Sequence, residues 1–215
     1  MSNGRKVIPL PVAATKKKPK RTEPPKMRLF VALHPPASVQ EAAVAPLQLL
    51  SEDLEIRPTP VDNVHLTLAF LGDVDWGRSN AVSKGLRAAA GGVEPFELRC
   101  SAAGAFPDLL RPRVLWVGVQ PNAQLDKLQD AVATVLETLG FRREIRAFHA
   151  HLSIARLKRL PHPGGLVELR EVLDAARFPT EPWPVRELIL YRSFLEEEGS
   201  RYQALAHIPL GREFL

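Results

Sequence analysis

The chain has 215 residues, enough for one substantial hydrophobic core, and no run of about 18 apolar residues, which excludes a transmembrane helix. Cys100 is the only cysteine, so a disulfide within the chain is excluded and we predict a cytoplasmic protein. The net charge of +5 is uneven, because residues 1–26 carry eight Lys and Arg against one Glu. We therefore predict a disordered, basic tail rich in Pro and Lys over residues 1–26, followed by a single domain over residues 27–215.

The hydrophobic pattern along the chain alternates between strand-like and helix-like segments. It predicts strands over 28–33, 64–71, 95–106 and 113–119, another beginning at residue 151, and two more near 185–194 and 201–209. It predicts helices over 36–54 with an interruption at Pro46, over 76–90, over 122–139 and over 165–176. The segment 122–139 is the clearest helix, because its leucines and valines recur at helical spacing.

The order strand, helix, strand, helix, strand occurs twice along the chain. Arg28, at the start of the first series, precedes His65 by 37 residues, and Arg113, at the start of the second, precedes His151 by 38. This spacing indicates a structural duplication. We predict an α+β fold of two pseudo-symmetric lobes, each with an antiparallel sheet and outer helices, whose sheets face each other across a central cleft.

Two short segments at equivalent places of this duplication carry nearly the same pattern. They are His65-Leu66-Thr67-Leu68 and His151-Leu152-Ser153-Ile154. In a strand, alternation directs the imidazole and the hydroxyl of each segment to one face and the apolar residues to the other. Two such units supply one general acid, one general base and two hydroxyl donors, which suffice for chemistry on a phosphodiester without a metal or cofactor.

The residues that follow each histidine carry a resemblance to a known family. The first motif continues through Phe70 to Gly72 and the second through Ala155 to Arg156. The chain resembles the two-histidine phosphoesterases, and within them the LigT-like RNA 2′,3′-cyclic phosphodiesterases, over most of residues 28–209. Two departures are Ala150, where the family usually has Pro, and Ser153, where Thr is commoner. The serine keeps the hydroxyl.

The resemblance implies a bilobal catalytic domain that is a monomer and that hydrolyses RNA 2′,3′-cyclic phosphate ends, or related nucleotides, to a 2′-phosphate. His65 is then the acid on the O3′ leaving group and His151 the base for water. The residue sequence alone does not order these two roles.

The other site residues follow from the same comparison. Thr67 and Ser153 would bind the non-bridging phosphate oxygens, Arg156 would add a bidentate contact, and Phe70 would stack on the terminal base. Phe70 and Arg156 each lie five residues after a histidine, so an ideal pleat directs both away from the cleft. We therefore predict a bulge, a sharp twist or a strand end near Ala155, which would turn Arg156 towards the cleft. Phe70 would need a similar irregularity to reach the cleft, and otherwise it occupies a core position.

Other activities remain open. A zinc hydrolase is disfavoured, because neither motif contains His-x-x-x-His, a cysteine cluster or an acidic residue as a third ligand. Ligation of RNA through a 2′,5′ bond, hydrolysis of small cyclic nucleotides or 2′,5′-oligonucleotides, and RNA binding without turnover are the alternatives. The basic tail is either a tether to RNA or a solvated leader.

Several further residues have no catalytic context in the sequence. We expect structural or surface positions for His34, His149, His162 and His207, and a core position for Trp116. Cationic residues near the second motif line either an RNA path or a solvated rim, and they are Arg142, Arg143, Arg146, Lys158 and Arg159.

Overall fold

The computed structural model describes residues 25–179, 181–196 and 199–211. Within these residues the strands are β1 (Lys26–Leu33), β2 (Ile56–Pro58), β3 (Leu66–Asp75), β4 (Phe96–Leu98), β5 (Cys100–Phe106), β6 (Val114–Val119), β7 (His151–Leu157), β8 (Trp183–Val185), β9 (Glu187–Glu196) and β10 (Gly199–Pro209). The α-helices in the described part of the chain are α1 (Ala37–Val44), α2 (Ser79–Ala90), α3 (Ala123–Thr138) and α4 (Pro163–Ala175). Residues 1–24 of the proposed tail lie outside the described residues, and Lys26 already belongs to β1.

Eight of the strands form one antiparallel sheet. Its order is β10-β9-β1-β3-β7-β6-β5, and β2 also pairs with β7. The remaining two strands, β4 and β8, pair in a separate two-stranded sheet, so the single strand predicted over 95–106 is divided at Arg99. Within the described part of the chain, no helix is both long and apolar enough to cross a membrane.

The two motif strands are neighbours in this sheet rather than members of separate facing sheets. The ladder between β3 and β7 is recorded at one pair, Leu66 with Leu152. Both leucines are fully buried. The duplicated halves are thus two half-sheets, β10-β9-β1-β3 and β7-β6-β5, that meet along the motif strands.

The helices cover one face of the sheet and tie the halves together. Helix α1 follows β1 in the chain but contacts β7, and α3 follows β6 but contacts β3. Helix α2 packs on α3 and on β10, while α4 contacts β5. Because α1 and α3 each cover the half-sheet that they do not follow, neither half encloses its hydrophobic core alone.

Local signals explain where the clearest helix begins. The Asn122 side chain accepts hydrogen bonds from the backbone N–H groups of Gln124 and Leu125, at 2.9 and 3.1 Å, and so caps α3. The buried stripe of the helix consists of Leu125, Leu128, Val132, Ala133 and Leu136. The prediction of a helix over 122–139 is confirmed, and the interruption predicted at Pro46 appears as a 3₁₀ turn that follows α1.

Candidate active site

A bulge in β7 directs the second motif and the arginine that follows it to one face. The ladder between β6 and β7 pairs Gly118 with His151, Trp116 with Ser153, and Val114 with Arg156. Those β6 residues alternate by two and share a face, whereas their β7 partners include one extra residue. Ile154 and Ala155 are accordingly both buried on the helix side. The bulge predicted near Ala155 is confirmed, and Arg156 lies on the face of His151 and Ser153.

The first motif contains a bulge at the equivalent place. The ladder between β1 and β3 pairs Ala32 with Thr67 and Phe30 with Phe70, with a register shift between them. Phe70 therefore lies on the face of Thr67, although an ideal pleat would separate them. Its side chain is 76% exposed, so the alternative of a core position for Phe70 is wrong.

The pairing of the motif strands gathers the four polar side chains of the motifs. Continuing the register of Leu66 with Leu152 by one residue directs His65 towards Ser153, and Thr67 towards His151. His151 lies near enough to His65 to lower the pKa of that ring. All four side chains are partly buried on the sheet face that the helices leave open.

Both histidines are oriented by the same local hydrogen bond. His65 donates from Nδ1 to the carbonyl oxygen of Asn63 at 2.7 Å, and His151 donates from Nδ1 to the carbonyl of His149 at 2.7 Å. A carbonyl only accepts, so Nδ1 carries the hydrogen in each ring and Nε2 remains for proton transfer. Asn63 is itself held by its side chain, which donates to the Ser200 carbonyl at 2.8 Å.

Burial shifts the titration of both imidazoles in the same direction. It lowers the pKa of His65 to about 4, against opposing stabilisation of the charged ring by the Asn63 carbonyl, and the nearby His34 and His151 lower it further. Burial likewise lowers the pKa of His151, which the His149 carbonyl partly offsets. Both rings are therefore neutral at pH 7 in the free protein.

The lowered pKa of His65 predicts a pH dependence of stability. Between pH 6.5 and about 4 the unfolded chain binds a proton that the folded protein does not, so the free energy of unfolding falls as the pH falls through this window. Between pH 7 and pH 5 this residue should contribute a loss of at most about 2 kcal/mol. Urea unfolding of the wild type and His65→Gln at both pH values measures it. An identical pH dependence for the two proteins would contradict the assignment.

Aromatic side chains that the sequence analysis did not assign to the site surround His65. The ring of Phe30 lies 4.9 Å from the imidazole, and the ring of Tyr202 meets it edge-on at 5.3 Å. Phe30 also stacks on Tyr191 at 5.2 Å and lies 6.2 Å from Phe70. Phe30, Tyr191 and Tyr202 lie in segments over which the chain resembles the LigT-like family, and alternation along β1, β9 and β10 is a second sequence signal for them.

A second aromatic group surrounds His151. Phe106 meets the His151 ring edge-on at 4.9 Å, and Trp116 lies 4.8 Å from His149. Trp116 is only partly buried and lies on the face of Ser153, so the prediction that it belongs to the core is wrong. His149 is exposed as predicted, but its ring and carbonyl both contribute to the surroundings of His151.

Further cations of the second half differ in their surroundings. Strand β2, which the sequence did not indicate, places Arg57 directly opposite Arg156 and hence on the same face. Arg159 pairs with Glu55 at 3.0 Å, and Arg143 with Asp130. Among residues 25–179, 181–196 and 199–211, no group of three or more His, Cys, Asp or Glu side chains is placed to hold a metal ion.

Comparison with known proteins identifies the family. A family model described as the 2'-5' RNA ligase superfamily matches residues 35–194. The chain belongs to this superfamily. One relative, an RNA 2',3'-cyclic phosphodiesterase of Archaeoglobus fulgidus, is 34% identical over 183 residues, which are 83% of this chain and 98% of that protein. Another of the same name, from Aeropyrum pernix, is 36% identical over 149 residues, or 68% of this chain and 82% of that protein.

Solved structures confirm the predicted α+β fold class. Escherichia coli LigT complexed with 3'-AMP has a TM-score of 0.66 at 28% identity, covering 87% of this chain and 99% of that chain. TT0787 of Thermus thermophilus has a TM-score of 0.70 at 28% identity, covering 87% of this chain and 100% of that chain. The resemblance predicted from the two histidine motifs is therefore confirmed.

Proposed function

We propose that this chain hydrolyses RNA 2′,3′-cyclic phosphate ends to 2′-phosphates by general acid–base catalysis, without a metal or another cofactor. The observation that carries the proposal is the pair of matched imidazoles on one open sheet face. Each has its Nδ1 bound to a backbone carbonyl, which leaves Nε2 for proton transfer. Relatives over most of the chain are named RNA 2',3'-cyclic phosphodiesterase, which supports this substrate.

In this proposal the two imidazoles act on opposite sides of phosphorus. His151 removes a proton from the attacking water, and His65 protonates the departing O3′ of the ribose. A bound phosphodiester carries a negative charge, which favours the imidazolium form and raises the pKa of the nearby rings. Substrate binding thereby favours uptake of a proton from solvent by His65, although burial leaves this ring neutral in the free protein.

The remaining site residues bind the substrate. Thr67 and Ser153 donate hydrogen bonds to the non-bridging phosphate oxygens, whose charge grows in the transition state. Arg156 adds a bidentate contact from the far end of β7, where the bulge directs it to the same face. Residues 27–215 form the catalytic domain, and we propose that it acts as a monomer in the cytoplasm.

Phe70 would stack on the base next to the cyclic phosphate. Phe70→Ala should raise KM for 2′,3′-cyclic AMP about tenfold, because base–aromatic stacking contributes roughly 1–3 kcal/mol. The melting temperature should not change, since the side chain is 76% exposed. Steady-state kinetics and thermal unfolding measure both. Val167→Ala, which removes an exposed side chain from α4, is the matched control, and an unchanged KM in Phe70→Ala would contradict base stacking.

Joining of RNA is the second candidate function, and the description of the superfamily favours it. In that reaction the 5′-hydroxyl of a second RNA replaces water as the attacking group. Incubating the protein with an RNA that ends in a 2′,3′-cyclic phosphate, with and without an RNA that has a 5′-hydroxyl, separates the two reactions. Hydrolysis without the second RNA is expected. Consumption of the cyclic phosphate only when the second RNA is present would replace hydrolysis by ligation.

A further inference from the structure

The aromatic residues around His151 form a surface to which the proposed hydrolysis of a cyclic phosphate assigns no substrate contact. Phe106, Trp116 and His149, hereafter the His151 aromatic cluster, lie on the open face of β5, β6 and the segment before β7. Their rings contact each other, with 5.3 Å between Phe106 and Trp116 and 4.8 Å between Trp116 and His149. His149 forms the exposed side of the cluster.

Two glycines leave the space that the Trp116 indole occupies against the sheet. A Cβ on Gly104 would lie 2.5 Å from the indole of Trp116, and a Cβ on Gly118 would lie 2.4 Å from Ser101 Oγ and 3.4 Å from the indole. Only glycine permits this close approach of the indole to the sheet. Trp116 thus lies against β5 and β6, where its indole contacts the rings of His149 and Phe106.

In each half of the site, aromatic rings lie around the histidine. Phe30 lies 4.9 Å from His65, and Phe106 lies 4.9 Å from His151. A phosphodiester held between the two imidazoles has one aromatic surface on the side of each. In an in-line displacement the entering and leaving oxygens lie on opposite sides of phosphorus. A substrate with one nucleoside occupies one of these surfaces, whereas a substrate with two occupies both.

We propose that the His151 aromatic cluster is a second nucleoside subsite, which stacks the base of the nucleoside that carries the 5′-oxygen of a 2′,5′-phosphodiester. This proposal rests on the proposed function. Because His151 activates the attacking oxygen there, a 5′-hydroxyl that replaces water brings its own base to the surface around His151. The exposed imidazole of His149 contacts that base, and Trp116 and Phe106 pack against the His149 ring.

The reaction at this subsite is a transesterification that balances without a further reactant. The 5′-oxygen attacks phosphorus, its proton passes to His151, the bond from phosphorus to O3′ breaks, and O3′ receives a proton from His65. Cleavage of a 2′,5′-linked dinucleotide is the reverse of these steps. It yields a 2′,3′-cyclic phosphate and a nucleoside with a free 5′-hydroxyl.

The test compares two substrates in His149 variants. In His149→Ala, kcat/KM should fall about tenfold more for cleavage of 2′,5′-linked ApA than for hydrolysis of 2′,3′-cyclic AMP, since cyclic AMP has no second base. His149→Phe should restore cleavage because it restores an aromatic face. The carbonyl that orients His151 is retained in both variants. His207→Ala is the control, because His207 is an exposed residue of β10. Equal losses on both substrates, or no loss on ApA, would overturn the subsite.

A binding measurement separates this inference from the proposed function. The His65→Ala variant should bind 2′,5′-ApA about tenfold more tightly than adenosine 2′-monophosphate, and adding His149→Ala should abolish the difference. If the wild type hydrolyses no 2′,3′-cyclic AMP, the proposed function is wrong, but this binding difference still tests the subsite. If the double variant keeps the difference, the subsite is wrong whatever the activity of the wild type.

Discussion

Replacing either His65 or His151 by alanine is expected to lower kcat for 2′,3′-cyclic AMP by at least about a hundredfold. A positioned general acid or base typically contributes ~10² to 10⁴ in rate, and here each ring acts in the same cycle of proton transfer. The two variants should remain folded, because both side chains lie on the open face and only partly buried. Steady-state kinetics, with circular dichroism to verify folding, measure the effect.

The control for these variants is another histidine on the same sheet. His207 lies on β10, where it pairs with Glu187 at 2.9 Å, and its replacement by alanine should leave kcat unchanged. If either His65→Ala or His151→Ala keeps more than about a tenth of the wild-type rate, that residue is not an obligatory acid or base.

Replacing Arg156 by alanine is expected to lower kcat by on the order of a hundredfold. The change removes a charged donor from the phosphate, whose negative charge grows in the transition state, and it leaves both imidazoles in place. Arg156→Lys should recover only part of the rate, since an ammonium group cannot reproduce the bidentate geometry of a guanidinium. Steady-state kinetics over a range of cyclic nucleotide concentrations, which give kcat and KM of both variants, measure this difference.

An arginine outside the site provides the reference for that experiment. Arg87 lies exposed in the last turn of α2, on the helix side of the sheet, and Arg87→Ala should retain the wild-type rate. Rates equal to the wild type in both Arg156 variants would show that Arg156 does not contact the phosphate, despite its place on the face of Ser153.

The sequence predicted most about the site where the alternation of side chains along a strand fixes which face each residue occupies. Alternation placed each histidine beside a hydroxyl, and the five-residue spacing to Arg156 required an irregularity near Ala155. The structure has that bulge, with Ile154 and Ala155 both buried. A bulge adds one residue to a strand and so reverses which face the following side chains occupy. A residue at an odd spacing from the histidine can therefore share its face only if a bulge lies between them.

Other features depend on pairings that a single sequence does not encode locally. Strand β2 spans three residues, too few for alternation to show, although it brings Arg57 opposite Arg156. The run of β6 is apolar on both faces, so periodicity could not tell that Trp116 faces the site. The adjacency of β3 and β7 rests on Leu66 and Leu152, which are far apart in the chain.

The most direct test of the proposed reaction is identification of its product. An RNA oligonucleotide that ends in a 2′,3′-cyclic phosphate is incubated with the full chain in chelator-treated buffer, and the terminal phosphate is followed by phosphorus NMR. We expect complete conversion to a 2′-monophosphate with EDTA present, and no conversion by a His65→Ala/His151→Ala double variant. A 3′-monophosphate, or turnover that EDTA abolishes and zinc restores, would contradict the assigned leaving group or the metal-free mechanism.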